Sequence, residues 1–139
     1  MQLDPPDWRT AALLLMWVAS ACPPVTADTG PGAPTTGGRI ELTLGDYRFT
    51  PQHFEVTAAS PVALVLRNRD TLTPHNFTLK DAAGNLDIDT DVPAGQELTV
   101  EFTPRVAGTY TFFCDKKLPF MKSHRERGMQ GTLTVTPAR

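Results

Sequence analysis

"GTYTFFCDKKLPFMKSHRERGMQGTLTVTP", residues 108–137, holds two strand-like runs on either side of a basic loop. Before the loop, Tyr110 and Phe112 alternate with Thr109 and Thr111; after it, Leu133 and Val135 alternate with Thr132 and Thr134. Period-two alternation is the mark of a strand with one face buried. Between the runs, Pro119 suits a first helical position and Gly128 the position just past a helix end. A short helical turn from Pro119 to about Arg127 is therefore expected.

The same texture extends upstream. "RIELTLGDYRF" (39–49) sets Ile40, Leu42 and Leu44 against Glu41 and Thr43. "VALVLRN" (62–68) is a continuous apolar run, read as a central strand covered on both faces. "HNFTLKD" puts Phe77 and Leu79 on one face, and "ELTVEFTP" alternates Leu98, Val100 and Phe102. Gly, Pro, Asn and Asp break the chain every 8 to 12 residues or so, a spacing that argues for an all-β sandwich of seven to eight strands. "DIDTD" (87–91) has the opening spacing of a calcium loop. Its sixth position is Val92, where Gly is needed, and its twelfth is Leu98, where a bidentate Glu is needed. It is read as a solvated turn.

Residues before Arg39 read differently. The apolar run from Ala11 to Ala21 is too short to span a bilayer and has the length of a signal-peptide core. Residues 1–21 are expected to be a signal peptide. Ala19-Ser20-Ala21 before Cys22 resembles a lipoprotein cleavage box, which would make Cys22 a lipidated first residue; ordinary secretion with cleavage after Ala27 is the alternative. Residues 22–38, rich in Pro, Gly and Thr, read as a flexible tether. The folded domain is expected over 39–139. The protein is accordingly expected to be exported, in the periplasm or at the cell surface, and held to a bacterial membrane only through a lipid on Cys22.

With 139 residues there is room for one domain. A net charge of −2, with no basic stripe and no phosphate-binding loop, gives no sign of a nucleic-acid partner. The chemistry-bearing residues gather near the end of the chain. Cys114 follows a strand, His124 and Met129 come before the last strand, and His75 lies upstream after the turn-forming Pro74. Two imidazoles, a thiolate and a thioether make the ligand set of a mononuclear electron-transfer copper site. The soft thiolate suits Cu(I), the imidazoles suit both oxidation states, and a distant thioether tunes the potential. Zinc is less suited, because a thioether is a poor fourth ligand for it. Taken singly, each residue also has a plain structural reading: Cys114 as a buried core thiol, Met129 as packing. His53 lacks partners and reads as a surface or sheet-edge residue.

"PHNF" at His75, "YTFFC" into Cys114 and "HRERGMQGTLTV" with His124 and Met129 together resemble the cupredoxins, the blue-copper family. The resemblance covers roughly residues 39–137. It implies a Greek-key β-sandwich with one copper ion per chain, cycling between Cu(I) and Cu(II) at one end. His75, Cys114 and His124 would be equatorial ligands and Met129 axial. Asn76 would tie its loop to the residues beside Cys114. One departure stands out. Nine residues separate Cys114 from His124, whereas small members of the family have two to four. Ten chain steps reach roughly 33–36 Å, so the loop has slack to fold back on itself. Met121, three residues before His124, is an alternative axial ligand or part of a shield.

Counting histidines bounds the function. Only His53 is left for any second copper, so nitrite reduction or multicopper oxidation is not supported, and the protein is not expected to be an enzyme. The expected role is carriage of single electrons between exported or membrane redox proteins, by a monomer. A copper-capture or copper-delivery protein with the same ligands is the alternative, and a metal-free interaction module is a third reading. The loop 115–127 carries five basic side chains against Asp115 and Glu126, a local charge of +3. It is expected to dock an acidic partner around an apolar centre at Leu118, Pro119 and Phe120.

Overall fold

A computed structural model describes residues 38–139. The readings on the signal peptide, the Cys22 lipid and residues 22–37 lie outside the described residues.

The alternating runs form strands as their periodicity dictates. β1 is Arg39–Gly45, β2 Arg48–Thr50, β3 His53–Thr57, β4 Val62–Asn68, β5 His75–Asp81, β6 Leu86–Val92, β7 Glu97–Phe102, β8 Gly108–Phe113 and β9 Gln130–Thr136. They form two sheets, ordered β2-β1-β4-β7 and β3-β9-β8-β5-β6. β1 runs parallel to β4 and β3 parallel to β9; the other pairs are antiparallel. The chain changes sheet at β2–β3, β3–β4, β4–β5, β6–β7 and β7–β8. The result is the all-β sandwich that the alternation called for.

The described strands number nine, against the seven to eight expected. The run 39–49 divides into β1 and β2 at the turn of Asp46 and Tyr47, β3 beyond Pro51 was not singled out in the sequence, and β6 was read as a turn. "DIDTD" is a correction of kind. It is strand β6, with Leu86, Ile88 and Val92 buried and Asp87, Asp89 and Asp91 exposed. Asp is a poor strand former, yet three of them fit here because they share the solvent face of an edge strand. Lys80 Nζ lies 2.9 Å from Asp89, and Lys116 Nζ 2.7 Å from Asp91.

The core sits between the sheets. Leu64 and Leu66 of β4 point into it, while Val65 is also buried, outside the main cluster. The rings of Phe49, Phe54 and Phe77 surround Phe112 at centroid distances of 5.1, 5.4 and 5.2 Å. Burying each such side chain contributes about 1.5–3 kcal/mol, and each edge or offset ring pair roughly 0.5–1.5 kcal/mol more. Gly131 of β9 has no side chain for a reason: a Cβ there would run into the Phe112 ring and the carbonyl of Gln52. β8 and β9 flank the loop 114–129, so this aromatic cluster braces its base. β7 is half-buried along one face, and His53 lies exposed on the edge strand β3.

Candidate metal centre

Three elements deliver three donor side chains to one end of the sandwich. His75 opens β5, Cys114 follows β8, and His124 precedes a 3-10 turn at Arg125–Arg127. His75 Nδ1 and His124 Nδ1 are 3.1 Å apart; Cys114 Sγ is 3.9 Å from the first and 3.4 Å from the second. His75 and Cys114 are wholly buried and His124 is 6% exposed. For a triangle of these sides one point lies about 2.0 Å from all three atoms, an imidazole–metal bond length. The donor set therefore fits one ion in a trigonal His2Cys arrangement, the arrangement of electron-transfer copper.

Met129 is fully buried, and its backbone is tied to both neighbours. Its N–H donates to His124 O, and its carbonyl accepts from the Cys114 N–H, each at 3.0 Å. Met121 lies elsewhere. It is 44% exposed and lines a small recess with Tyr47, Leu118, Lys122, His124 and Arg127.

Burial pushes the Cys114 thiol up, and the amides of Asn76 and Lys116 pull it partly back. The Asn76 N–H points at Sγ from 3.4 Å. Burial pulls His124 down, and its neighbours His75 and Arg127 disfavour a further positive charge there. At neutral pH the ion-free site thus holds a protonated thiol and a neutral His124 ring.

Asn76 places its side chain across the gap between β5 and Cys114. Its Oδ1 accepts from the Asp115 N–H at 3.0 Å, and its Nδ2 donates to the Asp115 carboxylate at 2.8 Å. Nδ2 also reaches Thr78 Oγ1 at 3.0 Å and Asp89 at 3.2 Å.

The long loop resolves differently from the expected helix. No helix runs from Pro119; only Arg125–Arg127 is helical, as one 3-10 turn. The start is set by Ser123 and Glu126. The Glu126 carboxylate accepts from the Ser123 N–H at 2.7 Å, and Ser123 Oγ accepts from the Glu126 N–H at 3.2 Å. Ser123 and Glu126 thus bond reciprocally, in the manner of a capping box, one residue ahead of the turn's cap at His124, a pattern in "SHRE" that was not singled out in the sequence. Gly128 does end the turn, with a φ of 100° that favours glycine. The His124 N–H donates to the Lys116 carbonyl at 2.9 Å, pinching the loop at its base. Residues 117–123 are therefore an excursion. At the site itself only Asp115 lies between Cys114 and the pinch at Lys116. The nine-residue spacing does not loosen the donor triangle.

Two residues at the site went unmarked in the sequence. Asp70 Oδ2 lies 2.8 Å from His75 Nε2. Tyr47 sits in the two-residue turn between β1 and β2, where both Asp46 and Tyr47 have positive φ. Such a backbone costs a bulky residue roughly 1–3 kcal/mol. It presents the Tyr47 ring edge-on to His124, with centroids 4.9 Å apart, under the Arg127 guanidinium at 4.4 Å. Neither residue has a sequence signal, since both arrive through turn geometry.

The basic residues of the loop are largely engaged. Lys116 pairs with Asp91, Arg125 lies over the Phe113 ring at 4.1 Å, and Arg127 covers Tyr47. Lys117 and Lys122 have no ion pair among the described residues. Leu118 is 61% exposed and Phe120 fully so. No helix among the described residues is long and apolar enough to cross a membrane.

Several solved structures share this architecture. Auracyanin from Roseiflexus castenholzii is similar at 21% identity with a TM-score of 0.59, covering 71% of this chain and 97% of that one. Auracyanin A, a blue copper protein from Chloroflexus aurantiacus, is similar at 23% identity and a TM-score of 0.55, over 75% of this chain and 100% of that one. The metal-binding domain of a Cu(I)-exporting P-type ATPase from Streptococcus pneumoniae D39 is similar at 17% identity and a TM-score of 0.55, over 77% and 99%. At these identities the likeness is one of fold. A search against curated proteins finds no match. The cupredoxin-like domain family matches residues 10–135. That span takes in every strand but the last residue of β9 and all four donor positions, whose buried triangle suits one copper ion as cofactor. The chain belongs to the cupredoxin-like family.

Proposed function

We propose that the protein carries single electrons between exported or membrane redox partners, with one copper ion that His75, Cys114 and His124 would hold together with Met129. The observation that carries this reading is the buried triangle of donors, fastened by backbone bonds at Asn76, Lys116 and Met129. When bound, copper supplies a one-electron couple between Cu(I) and Cu(II). The chain's own part is to keep that couple's surroundings constant. Asn76 holds β5 to the residue after Cys114, and its amide offers Sγ a hydrogen bond. The pinch at Lys116–His124 fixes the second imidazole, and Tyr47 with Arg127 covers its outer side. A site with donors fixed this way reorganises little between oxidation states, as rapid electron exchange requires.

The protein is read as a carrier and not an enzyme. Export, and a lipid anchor at Cys22, remain part of this proposal. So does docking: Leu118, Phe120 and Met121 form an exposed apolar spot beside His124, with Lys117 and Lys122 around it. A partner with an apolar contact point ringed by carboxylates fits that surface. Copper delivery is the competing role, kept in view by the fold shared with the ATPase domain. The near-complete burial of the donors favours an ion that stays over one that passes through.

The test cycles the copper-loaded protein through repeated reduction and reoxidation with a Cu(I) chelator present. Retention of one equivalent supports electron carriage. Loss to the chelator on the first reduction would assign the protein to copper handling.

A further inference from the structure

We propose that Asp70 is a positioning residue of this centre: its carboxylate fixes the tautomer of His75 and biases the bound ion towards Cu(II). The inference rests on the copper reading of the site and deepens it.

An ionised carboxylate only accepts hydrogen bonds. At 2.8 Å from Asp70 Oδ2, His75 Nε2 must therefore carry the proton. On a neutral ring Nδ1 is then left as a lone pair, and it is the atom that faces His124 and Cys114. The opposite tautomer would set a lone pair against the carboxylate beside a wholly buried ring. Asp70 is itself fastened. Its N–H donates to Asn68 Oδ1 at 3.0 Å, and its Oδ1 accepts from the Asp46 N–H at 3.3 Å. Asn68 Nδ2 in turn donates to the carbonyls of Thr73 and Val92, pinning the turn that leads to His75. Asp70 is 22% exposed and the His75 side chain 0%, so the charge acts on the ring through a largely dry contact. Among the described residues His124 has no carboxylate partner. The centre is thus asymmetric, with one imidazole clamped by an anion and the other facing Tyr47.

Partners of ligating histidines of this kind are worth 10–100-fold in metal affinity. A fixed negative charge one ring away from the ion favours the more positive oxidation state. Losing it should cost Cu(II) about tenfold more affinity than Cu(I), which for one electron is an upward potential shift of about 59 mV.

The experiment compares the wild-type protein with Asp70→Asn, which keeps an acceptor oxygen and removes the charge, and Asp70→Ala, which removes both. Nitrogen-15 NMR of the copper-free proteins reads the His75 tautomer, and voltammetry of the copper-loaded proteins reads the potential. The expected result is a single Nε2–H tautomer in wild type, a mixture in Asp70→Ala, and a potential about 59 mV higher in Asp70→Asn. An unchanged tautomer in Asp70→Ala, or equal potentials in all three with only melting temperature altered, would overturn the inference. Should wild type take up no copper, the copper reading fails, while the tautomer in the ion-free protein still decides the role of Asp70.

Discussion

Replacing Asn76 with Ala tests how the fold holds the centre together. The side chain is 2% exposed and makes two bonds to Asp115, the residue after Cys114. The bond from the Asp115 N–H to Oδ1 is an ordinary neutral one, worth about 1 kcal/mol. The bond from Nδ2 to the Asp115 carboxylate is charge-assisted, but Asp115 is exposed, so it belongs at the low end of its range, about 1.5 kcal/mol. The contacts to Thr78 and Asp89 add little, because Asp89 keeps Lys80 at 2.9 Å and Thr78 at 3.4 Å. The loss sums to about 2.5 kcal/mol. For a domain of this size that lowers the melting temperature by roughly 10–20 °C. Denaturant unfolding of the ion-free protein, followed by far-ultraviolet circular dichroism, measures it directly. A double-mutant cycle with Asp115→Ala isolates the charged bond, which should return a coupling of about 1.5 kcal/mol. A loss below about 1 kcal/mol, or a coupling near zero, would show that the strap between β5 and Cys114 is not held by Asn76.

Three other outcomes follow from the geometry. Replacing residues 117–122 by two glycines should leave copper uptake intact, since Ser123 and the Lys116–His124 pinch are kept, while the ionic-strength dependence of electron transfer to an acidic partner weakens; a rate already insensitive to salt in the parent protein would refute basic docking. Gly131→Ala should destabilise the domain by at least about 1–3 kcal/mol in thermal unfolding, because the new Cβ meets the Phe112 ring and a backbone carbonyl. At pH 8, binding of one Cu(II) should release one proton in a pH-stat, because the raised Cys114 thiol is still protonated there and the lowered His124 is already neutral. Above the ordinary thiol value of 9.0 folding itself becomes pH-dependent. The unfolded thiol ionises first, so the ion-free protein loses stability as pH rises through the folded value.

Much of the sandwich was legible because its strands keep one face in the core. Ile40, Leu42 and Leu44, or Phe77 and Leu79, announce themselves by spacing. β6 was not legible, because three Asp residues on an edge strand look like a turn until the sheet gives them a solvent side. The break of the 39–49 run into β1 and β2 was likewise not legible, because it lies in the positive-φ turn at Asp46 and Tyr47. At the centre, the convergence of His75, Cys114 and His124 was readable from residue type and neighbouring strands. Asp70 and Tyr47 were not, since they reach the site through turns whose direction no local pattern records. The length of the 115–123 loop misled for a related reason. Spacing counts residues, whereas one hydrogen bond from His124 to Lys116 sets the distance that matters.

The most direct measurement is a Cu(II) titration of the reduced, copper-free protein, followed by visible absorption and electron paramagnetic resonance. The expected result is an intense thiolate-to-copper charge-transfer band that saturates at one equivalent, bleaches reversibly on reduction and is absent in Cys114→Ser. Copper bound without that band, or a band that survives Cys114→Ser, would contradict the claim that Cys114 and the two imidazoles form the centre.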